Sequence, residues 1–241
     1  MNLNRLLTFS SSRVGKSAFL ETAAPIIKNF LGNDVMDIAF IPFASVTKDY
    51  DEYAAMVISS LTELPYNIRL VKPGNASEVI AQAGAIMVGG GNSFKLLHDI
   101  YEYKLLDIIR DKVNAGIPYI GWSAGANITG PTIATTNDMP IIEPKSFNAL
   151  GLLPFQINPH YFSQPVEGHN GETRDQRITE FLAINPGVPV IGLPEGTALH
   201  LENNVLLFTG SCPGILFTTD DVTGLTMKKE IAVGEDISFL L

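Results

Sequence analysis

The sequence predicts an α/β fold in which helices cover both faces of a mostly parallel central sheet. Short apolar or β-branched runs recur along the first half of the chain, and longer stretches with helical spacing of apolar residues separate them. Alternation of this kind is typical of parallel sheets. We expect strands over 5–9, 36–42, 67–71, 85–88 and 117–121, and helices over 17–30, 49–61, 76–83 and 93–115, the last long enough for two helices.

The second half of the chain departs from this alternation. Six prolines interrupt residues 131–175, and a long irregular region inside a compact domain usually carries function. We expect a strand over 152–157 within it, then a helix over 173–184 and a strand over 188–193. Beyond that strand, short segments separated by Gly and Asn-Asn turns predict further β structure. Because no internal repeat or low-complexity linker occurs, residues 1–241 are expected to form one domain.

The charge balance disfavours several classes of partner. Sixteen Lys and Arg against 25 Asp and Glu give a net charge of −9, which opposes binding to nucleic acid or to an anionic membrane. The single cysteine, Cys212, cannot form an internal disulfide or a cysteine-based zinc site. The chain has no signal-peptide pattern and no apolar run of about 18 residues. We expect a cytoplasmic protein without a cofactor, either a monomer or a weak homo-oligomer.

The sharpest local signal is Gly-Trp-Ser-Ala-Gly at residues 121–125, between an apolar run and a stretch of small residues suited to begin a helix. A G-x-S-x-G pattern in this context is typical of a tight strand-to-helix turn that exposes the serine hydroxyl. The amide of Ala124 would then be placed to donate to a developing oxyanion. Ser123 is therefore a candidate nucleophile, although a Gly-rich turn with a buried serine would have the same sequence.

A nucleophilic serine requires a base, and the chain has four histidines. His98 lies in an apolar helical stretch and His200 in a β segment, which favours structural roles for both. His169 lies in a loop of Gly and Asn, where it could close over a ligand or simply be exposed. His160 follows the expected strand 152–157, at the edge of the sheet where open α/β folds bind their ligands. His160 is therefore the favoured base.

The base needs a carboxylate to orient it, and two candidates compete. Glu195 follows the expected strand 188–193 within Leu-Pro-Glu-Gly, again at a carboxyl strand end. Asp138 lies in the polar loop after the helix that Ser123 would begin. Either carboxylate could instead be an ordinary turn residue or a cap, and the sequence pattern does not rank them.

Two glycine-rich segments lie elsewhere in the first half of the chain. Val-Gly-Gly-Gly-Asn-Ser at 88–93 joins a strand to a helix, and its amides can approach a ligand closely, as an oxyanion donor or a phosphate cradle. Residues 10–17 end in Gly-Lys-Ser like a P-loop. In that motif Ser10 replaces the first glycine, and its side chain would crowd the phosphate. Nucleotide binding is therefore disfavoured.

These motifs together resemble peptidase E, the α-aspartyl dipeptidase family. The resemblance rests first on Gly-Trp-Ser-Ala-Gly-Ala-Asn at 121–127 and Gln-Ile-Asn-Pro-His at 156–160. Shorter matches follow the same order along the chain: Ile-Pro-Phe-Ala at 41–44, Val-Gly-Gly-Gly-Asn at 88–92, Thr-Thr-Asn-Asp-Met-Pro at 135–140, Gly-Glu-Thr-Arg at 171–174 and Ile-Gly-Leu-Pro-Glu-Gly at 191–196. The motifs cover residues 40–200, and the tail beyond them matches poorly.

The resemblance implies both a fold and an activity. The fold is flavodoxin-like and similar to that of class I glutamine amidotransferases, with Ser123 where those enzymes carry a cysteine. The activity is hydrolysis of small acidic dipeptides with an N-terminal aspartate, through an acyl-enzyme and without a metal. Ser123 and His160 match the nucleophile and the base, and the amides of Gly91 and Ala124 match the oxyanion donors.

The resemblance also bears on the acid and on substrate recognition. Glu195 is favoured for direct contact with the base, with Asp138 supporting it or binding the α-ammonium group of the substrate. Arg174 and Arg177 are three residues apart on one helix face, which suits a clamp on the substrate's β-carboxylate. A solvated helix face is the alternative for these two arginines. Asn92 is assigned to substrate binding as well.

Two other functions stay open at this point. A metal hydrolase could use His160, His169 and Glu172, which are all acceptable zinc ligands. A non-catalytic binding domain would keep the amidotransferase-like fold without its chemistry. Activity that resists a chelator would remove the first alternative, and labelling of Ser123 by a serine-directed reagent would remove the second.

Overall fold

A computed structural model describes residues 4–47, 49–164, 168 and 170–241. Its strands are β1 (Leu6–Phe9), β2 (Met36–Ile41), β3 (Tyr66–Leu70), β4 (Ala85–Val88), β5 (Tyr119–Trp122), β6 (Gln156–Pro159), β7 (Val190–Leu193), β8 (Thr197–Glu202), β9 (Val205–Gly210), β10 (Gly214–Thr219) and β11 (Thr226–Ile231). Its helices are α1 (Ala24–Leu31), α2 (Tyr50–Ser60), α3 (Ala76–Gln82), α4 (Ser93–Glu102), α5 (Leu106–Asn114), α6 (Ala124–Asn127) and α7 (Arg174–Ile184), with a short 3₁₀ helix at Ser238–Leu240.

The larger sheet has seven strands in the order β3-β2-β4-β5-β1-β8-β9. The first five in this order run parallel to one another, and β8 and β9 extend the edge beyond β1 in antiparallel pairing. Every residue of β1, β4 and β5 is buried, which requires cover on both faces of the sheet. The mostly parallel central sheet is confirmed.

Helices cover both faces of this sheet, as the sequence predicts. Side chains of α1 and α2, among them Ile27 and Val57, pack with Phe40 of β2. The neighbouring residue Ile41 points to the opposite face and packs in a separate cluster with α3, α4 and α5, which include Ile80. No helix in the described part of the chain is long and apolar enough to cross a bilayer.

A second, smaller sheet has four strands in the order β11-β10-β7-β6. The strand pattern of the sequence does not separate it from the central sheet. Strands β6 and β7 pair in parallel, with Pro159 opposite Leu193, whereas β10 and β11 add in antiparallel pairing. Helix α7 packs Ile178 and Leu182 against this sheet. The β structure expected of the tail is confirmed, and it is divided between the two sheets.

The helix expected over 17–30 is shorter than predicted and begins at Ala24. Leu20 has a φ of 55°, which a continuous helix cannot contain. Pro25 lies in the first turn, where its missing N–H costs no helical hydrogen bond. Because α1 begins seven residues after Ser17, no helix N-terminus follows the Gly-Lys-Ser sequence directly, as a P-loop would require.

The strand expected over 152–157 also begins late, at Gln156. The amides of Leu152 and Leu153 both donate to the carbonyl of Thr129, and Pro154 has no N–H to give to a sheet. The helical span 93–115 is divided into α4 and α5 near Lys104, whose φ is 57°. The other predicted boundaries differ from the observed ones by two residues or fewer.

Candidate active site

Ser123 lies at a sharp turn between β5 and α6. Its φ of 54° and ψ of −113° are unusual for a residue other than glycine, and its amide donates to the carbonyl of Phe9. A Cβ atom added to Gly121 would lie 2.3 Å from the carbonyl oxygen of Gly125, and one added to Gly125 would lie 2.2 Å from that of Val88. Both glycines of the G-x-S-x-G pattern are therefore required by close backbone approach.

His160 lies between Ser123 and Glu195. Its Nε2 is 2.9 Å from Ser123 Oγ, and its Nδ1 is 2.8 Å from Glu195 Oε1. His160 and Glu195 meet because β6 and β7 are parallel neighbours, and each of these residues follows the end of its strand. An ionised carboxylate can only accept, so Nδ1 donates to Glu195 and Nε2 of the neutral ring accepts from the serine hydroxyl. This is the arrangement that activates a serine.

Asp138, the competing acid, lies elsewhere in the site. Its Oδ2 accepts from the amide of Ser93 at 2.7 Å and is 3.1 Å from the hydroxyl of Thr136. Asp138 thus caps the start of α4 and makes no hydrogen bond to the ring of His160. The structure therefore brings Glu195, and not Asp138, to the histidine.

The two arginines of α7 differ in environment. Arg174 is half-buried, and its Nε atom is buried without a hydrogen-bond partner among the described residues, whereas Arg177 is exposed. The guanidinium of Arg174 lies 5.3 Å from the ring centroid of Phe162. Burial, followed by the charge of Arg177, lowers the pKa of Arg174, and the charge of Asp138 opposes both effects. Of the two, Arg174 has the unsatisfied donor that a carboxylate ligand would need.

The glycine-rich loop 89–91 faces the serine. Gly91 has a φ of 140°, and a Cβ atom added to it would lie 2.2 Å from the carbonyl oxygen of Ala44. The amides of Gly91 and Ala124 donate to no acceptor among the described residues. Next to Gly91, Asn92 caps α4 by accepting from the Lys95 amide, and its side-chain amide group donates to the carbonyl of Met139.

A buried tyrosine, Tyr53, is hydrogen-bonded to the glycine-rich loop 89–91. The hydroxyl of Tyr53 donates to the carbonyl of Gly90 at 3.1 Å and accepts from the indole nitrogen of Trp122 at 3.0 Å. Burial raises the pKa of Tyr53 to about 12, so the hydroxyl remains a donor at neutral pH. Tyr53 therefore links the loop that carries Gly91 to β5, the strand that ends immediately before Ser123.

A cavity of about 460 Å³ opens beside Ser123 and His160, within the usual size of a small-molecule site. Its other walls come from residues 44–47, the glycine-rich loop and the segment after β1. The cavity therefore gives access to the serine hydroxyl from one side.

Sequence reasoning missed Ser10. Its hydroxyl is fully buried, accepts from the amide of His160 at 2.9 Å and donates to the carbonyl of Leu193 at 2.7 Å. Ser10 directly follows β1 at the carboxyl end of the sheet, and that position is the one signal that could have marked it. It fixes the backbone of the histidine, which has a φ of 53°.

Among the described residues, the structure does not place the proposed ligands His160 and Glu172 in a metal site. His169 lies outside the described residues, and Glu172 is exposed at the approach to α7. His160 is hydrogen-bonded to Ser123 and Glu195. Across the ranges that the structure describes, no group of three or more His, Cys, Asp or Glu side chains is arranged to hold a metal ion.

Fold and site together define a class of protein. An α/β sheet that presents a serine at a strained turn, hydrogen-bonded through a histidine to a carboxylate, is characteristic of hydrolases with a serine nucleophile. The family model described as Peptidase family S51 matches residues 6–208. The chain belongs to this family. It is a serine-type peptidase and a dipeptidase of the family.

Curated relatives agree with this placement. Peptidase E of Shewanella sp. (strain W3-18-1) is 47% identical, with 100% of both chains covered. Peptidase E of Nostoc sp. (strain PCC 7120) is also 47% identical, with 100% of this chain and 98% of the relative covered. These matches include the tail, where the sequence motifs are absent.

Two solved structures share the fold. One, of a proposed peptidase E from Listeria monocytogenes EGD-e, has a TM-score of 0.68 at 22% identity and covers 86% of this chain and 98% of its own. The other, of a peptidase from an acI-B1 Actinobacterium, has a TM-score of 0.67 at 17% identity and covers 98% of this chain and 97% of its own. At these identities the likeness concerns the fold.

Replacing Ser10 tests whether its hydroxyl positions the base. Ser10→Ala leaves the part-buried His160 amide without its acceptor and removes one of two hydrogen bonds to the Leu193 carbonyl, which also accepts from the Tyr161 amide. We therefore expect the free energy of unfolding to fall by about 1–3 kcal/mol. We also expect kcat to fall while KM changes little. Steady-state kinetics and urea denaturation measure the two effects.

The matched control is Ser238→Ala. It removes a hydroxyl in the tail that accepts a hydrogen bond from the Leu206 amide and donates one to the Asp236 carboxylate. It should lower stability without lowering kcat. If folded Ser10→Ala protein keeps the wild-type kcat, the hydroxyl has a structural role only.

Proposed function

We propose that this protein hydrolyses dipeptides with an N-terminal aspartate, using Ser123 as nucleophile, His160 as base and Glu195 to orient the base. The observation that carries the proposal is the continuous hydrogen-bonded chain from Ser123 Oγ through the imidazole to Glu195 Oε1. Ser123 and His160 directly follow their strands, and Glu195 is two residues beyond the end of β7, at the edge where α/β sheets bind their ligands.

The geometry supports a two-step mechanism. Ser123 Oγ attacks the carbonyl carbon of the peptide bond while His160 Nε2 takes the hydroxyl proton. The oxyanion of the tetrahedral intermediate accepts hydrogen bonds from the amides of Gly91 and Ala124. The C–N bond then breaks as His160 returns the proton to the leaving amine, and an acyl-enzyme remains. Water attacks this ester with His160 again acting as base. The bond from the acyl carbon to Ser123 Oγ then breaks as His160 returns the proton to Oγ, and aspartate leaves.

Glu195 keeps the imidazole in the required tautomer. Its carboxylate accepts from Nδ1–H, so that Nε2 is free to take the serine proton, and its negative charge stabilises the imidazolium that forms. The side chains of His160 and Glu195 are 41% and 53% exposed, so water for the second step reaches the base from solvent.

Recognition of the aspartyl residue is assigned to Arg174 and Asp138. The buried Nε of Arg174 has no partner among the described residues, and a substrate carboxylate would supply one. Asp138 uses Oδ2 to cap α4, while its Oδ1 accepts no hydrogen bond within the described ranges and suits the α-ammonium group. Asn92 lines the cavity beside them and keeps the Asp138 loop in place through Met139.

The remaining parts of the proposal concern the whole chain. Residues 1–241 are proposed to work as one peptidase domain, because the two sheets contribute to a single site. A monomer or weak homo-oligomer in the cytoplasm fits a chain whose one cysteine excludes an internal disulfide. A net charge of −9 argues against nucleic acid or membrane as a partner.

A dipeptide panel tests the proposed function. We expect the wild-type protein to cleave Asp-Leu with a far higher kcat/KM than Glu-Leu, Asn-Leu or Leu-Leu. Ser123→Ala and His160→Ala should each lower kcat on Asp-Leu by up to roughly 10⁶-fold, the scale seen when a nucleophile or base is removed. Circular dichroism checks that both variants fold. More than about a tenth of wild-type activity in either variant would overturn the assignment of its role.

The two acids are separated by their kinetic signatures. Glu195→Gln should lower kcat by up to about 10⁴-fold with little change in KM, because an orienting acid acts on the transition state. Asp138→Asn keeps a side-chain acceptor for the cap of α4, so it should fold and mainly raise KM. If Asp138→Asn shows the large loss of kcat and Glu195→Gln is nearly neutral, the two roles are exchanged.

The arginine assignment predicts a loss of charge discrimination. Arg174→Met should reduce kcat/KM on Asp-Leu by roughly 10- to 150-fold, the value of a hydrogen bond to a charged group, and much less on Asn-Leu. Arg177→Met is the matched control, because Arg177 is exposed on the same helix and carries the same charge. An unchanged preference for Asp-Leu over Asn-Leu in both variants would place the carboxylate site elsewhere.

A further inference from the structure

The cavity beside Ser123 has an unusual charge for this chain. The sequence has 25 Asp and Glu against 16 Lys and Arg, yet among the described residues that line the cavity there is no carboxylate. Arg13 is the one lysine or arginine in that lining. The cavity that opens onto the nucleophile is therefore locally cationic, which favours an anionic ligand.

The charge of Arg13 is not neutralised by another side chain. Its guanidinium makes no ion pair or hydrogen bond within the residues that the structure describes. By contrast, Arg5 pairs with Glu202, and Arg69 pairs with Asp37. An arginine without a protein partner beside a reactive serine has its full set of donors available to a ligand.

The backbone around Arg13 is fixed by its own hydrogen bonds. The hydroxyl of Ser11 donates to the carbonyl of Arg13 at 2.6 Å, and the amide of Val14 donates to Ser17 Oγ at 2.9 Å. The amide of Leu20 donates to the carbonyl of Ser12 at 2.8 Å. Arg13 is thus presented from an organised loop, the same segment whose sequence resembles the end of a P-loop.

Part of the cavity lining is apolar. Phe19 packs edge-to-face against Trp122 with ring centroids 6.1 Å apart, and Met56 of α2 and the largely exposed Val46 extend this surface. A hydrophobic side chain can be buried there while a charged group reaches the arginine. The chemistry of the cavity therefore matches an amino acid with an apolar side chain and a free carboxylate.

Neither Arg174 nor Asp138 lines this cavity. The cavity therefore does not include the two side chains assigned to the aspartyl residue. A dipeptide held at its aspartyl residue by Arg174 and Asp138 has only its second residue left to place. In a dipeptide that second residue carries the C-terminal carboxylate. The carboxylate is therefore one residue beyond the cleaved bond, and one residue spans about 3.8 Å of chain.

We propose that the cavity is the subsite for the second residue of the substrate, and that Arg13 binds its C-terminal carboxylate. This inference rests on the proposed dipeptidase function. It supplies a reason for a preference for dipeptides, because a longer peptide would place a neutral peptide bond opposite Arg13. The remainder of that peptide would have to pass the loop that carries the arginine.

The test compares Asp-Leu with Asp-Leu-amide and with Asp-Leu-Leu. All three have the same aspartyl residue and the same cleaved bond, but the amide lacks the charge and the tripeptide moves it one residue away. We expect wild-type kcat/KM to be highest for Asp-Leu. In Arg13→Met the ratio of kcat/KM for Asp-Leu to that for Asp-Leu-amide should fall by about tenfold, the lower end for a hydrogen bond to a charged group.

Two further variants control for charge and side-chain type. Lys16→Met removes an exposed cation from the same loop but outside the cavity lining, so it should leave the ratio unchanged. Arg13→Lys keeps the charge and should restore part of the ratio.

The outcomes separate this inference from the function on which it rests. The subsite is overturned if Arg13→Met keeps the wild-type ratio of kcat/KM for Asp-Leu to that for Asp-Leu-amide, or if Lys16→Met lowers this ratio equally. In either case, cleavage of Asp-Leu by the wild-type protein leaves the dipeptidase proposal intact. If the wild-type protein cleaves neither Asp-Leu nor its amide, both proposals are overturned together.

Discussion

The site depends on the end of strand β1, which holds both the proposed nucleophile and the proposed base in place. The carbonyl of Phe9 accepts from the amide of Ser123, and the hydroxyl of the next residue, Ser10, accepts from the amide of His160. Both Ser123 and His160 have positive φ, which costs of order 1–3 kcal/mol for residues other than glycine. The serine belongs to the larger sheet and the histidine to the smaller one. Two bonds to one strand end therefore help to offset the strain and set the separation of Oγ and Nε2.

Much of the fold could be predicted from the sequence, because apolar periodicity reports directly on local structure. The five parallel strands follow from it, and the division of 93–115 into two helices follows from the length of that segment. The second sheet could not be predicted this way, because a strand pattern does not say which strand will be its neighbour. The late start of α1 could have been predicted from the sequence, because Pro25 favours the first turn of a helix over its interior.

Most residues of the site could be predicted from motifs, and Glu195 was favoured over Asp138 for contact with His160, but the sequence does not give the pairing that makes this contact. Motifs marked the serine, the histidine and both acids, whereas the contact between His160 and Glu195 arises from the parallel pairing of β6 and β7. Helical spacing put Arg174 and Arg177 on one face, yet only the packing around Phe162 distinguishes them. Ser10 escaped notice because its partner His160 is 150 residues away in the chain.

That separation has a consequence for when activity arises. Synthesis delivers the N-terminal part of a chain first, so β1 and the turn at Ser123 are made before the histidine, and Glu195 follows later still. The Ser10 amide also donates to the carbonyl of Thr197, which ties the same strand end to β8. Contacts this distant in sequence form late, because loop closure must come before the contacts that reward it. A partly made chain thus carries Ser123 without His160 and Glu195, and the hydrogen-bonded chain of the site can form only after the C-terminal part of the protein has been made.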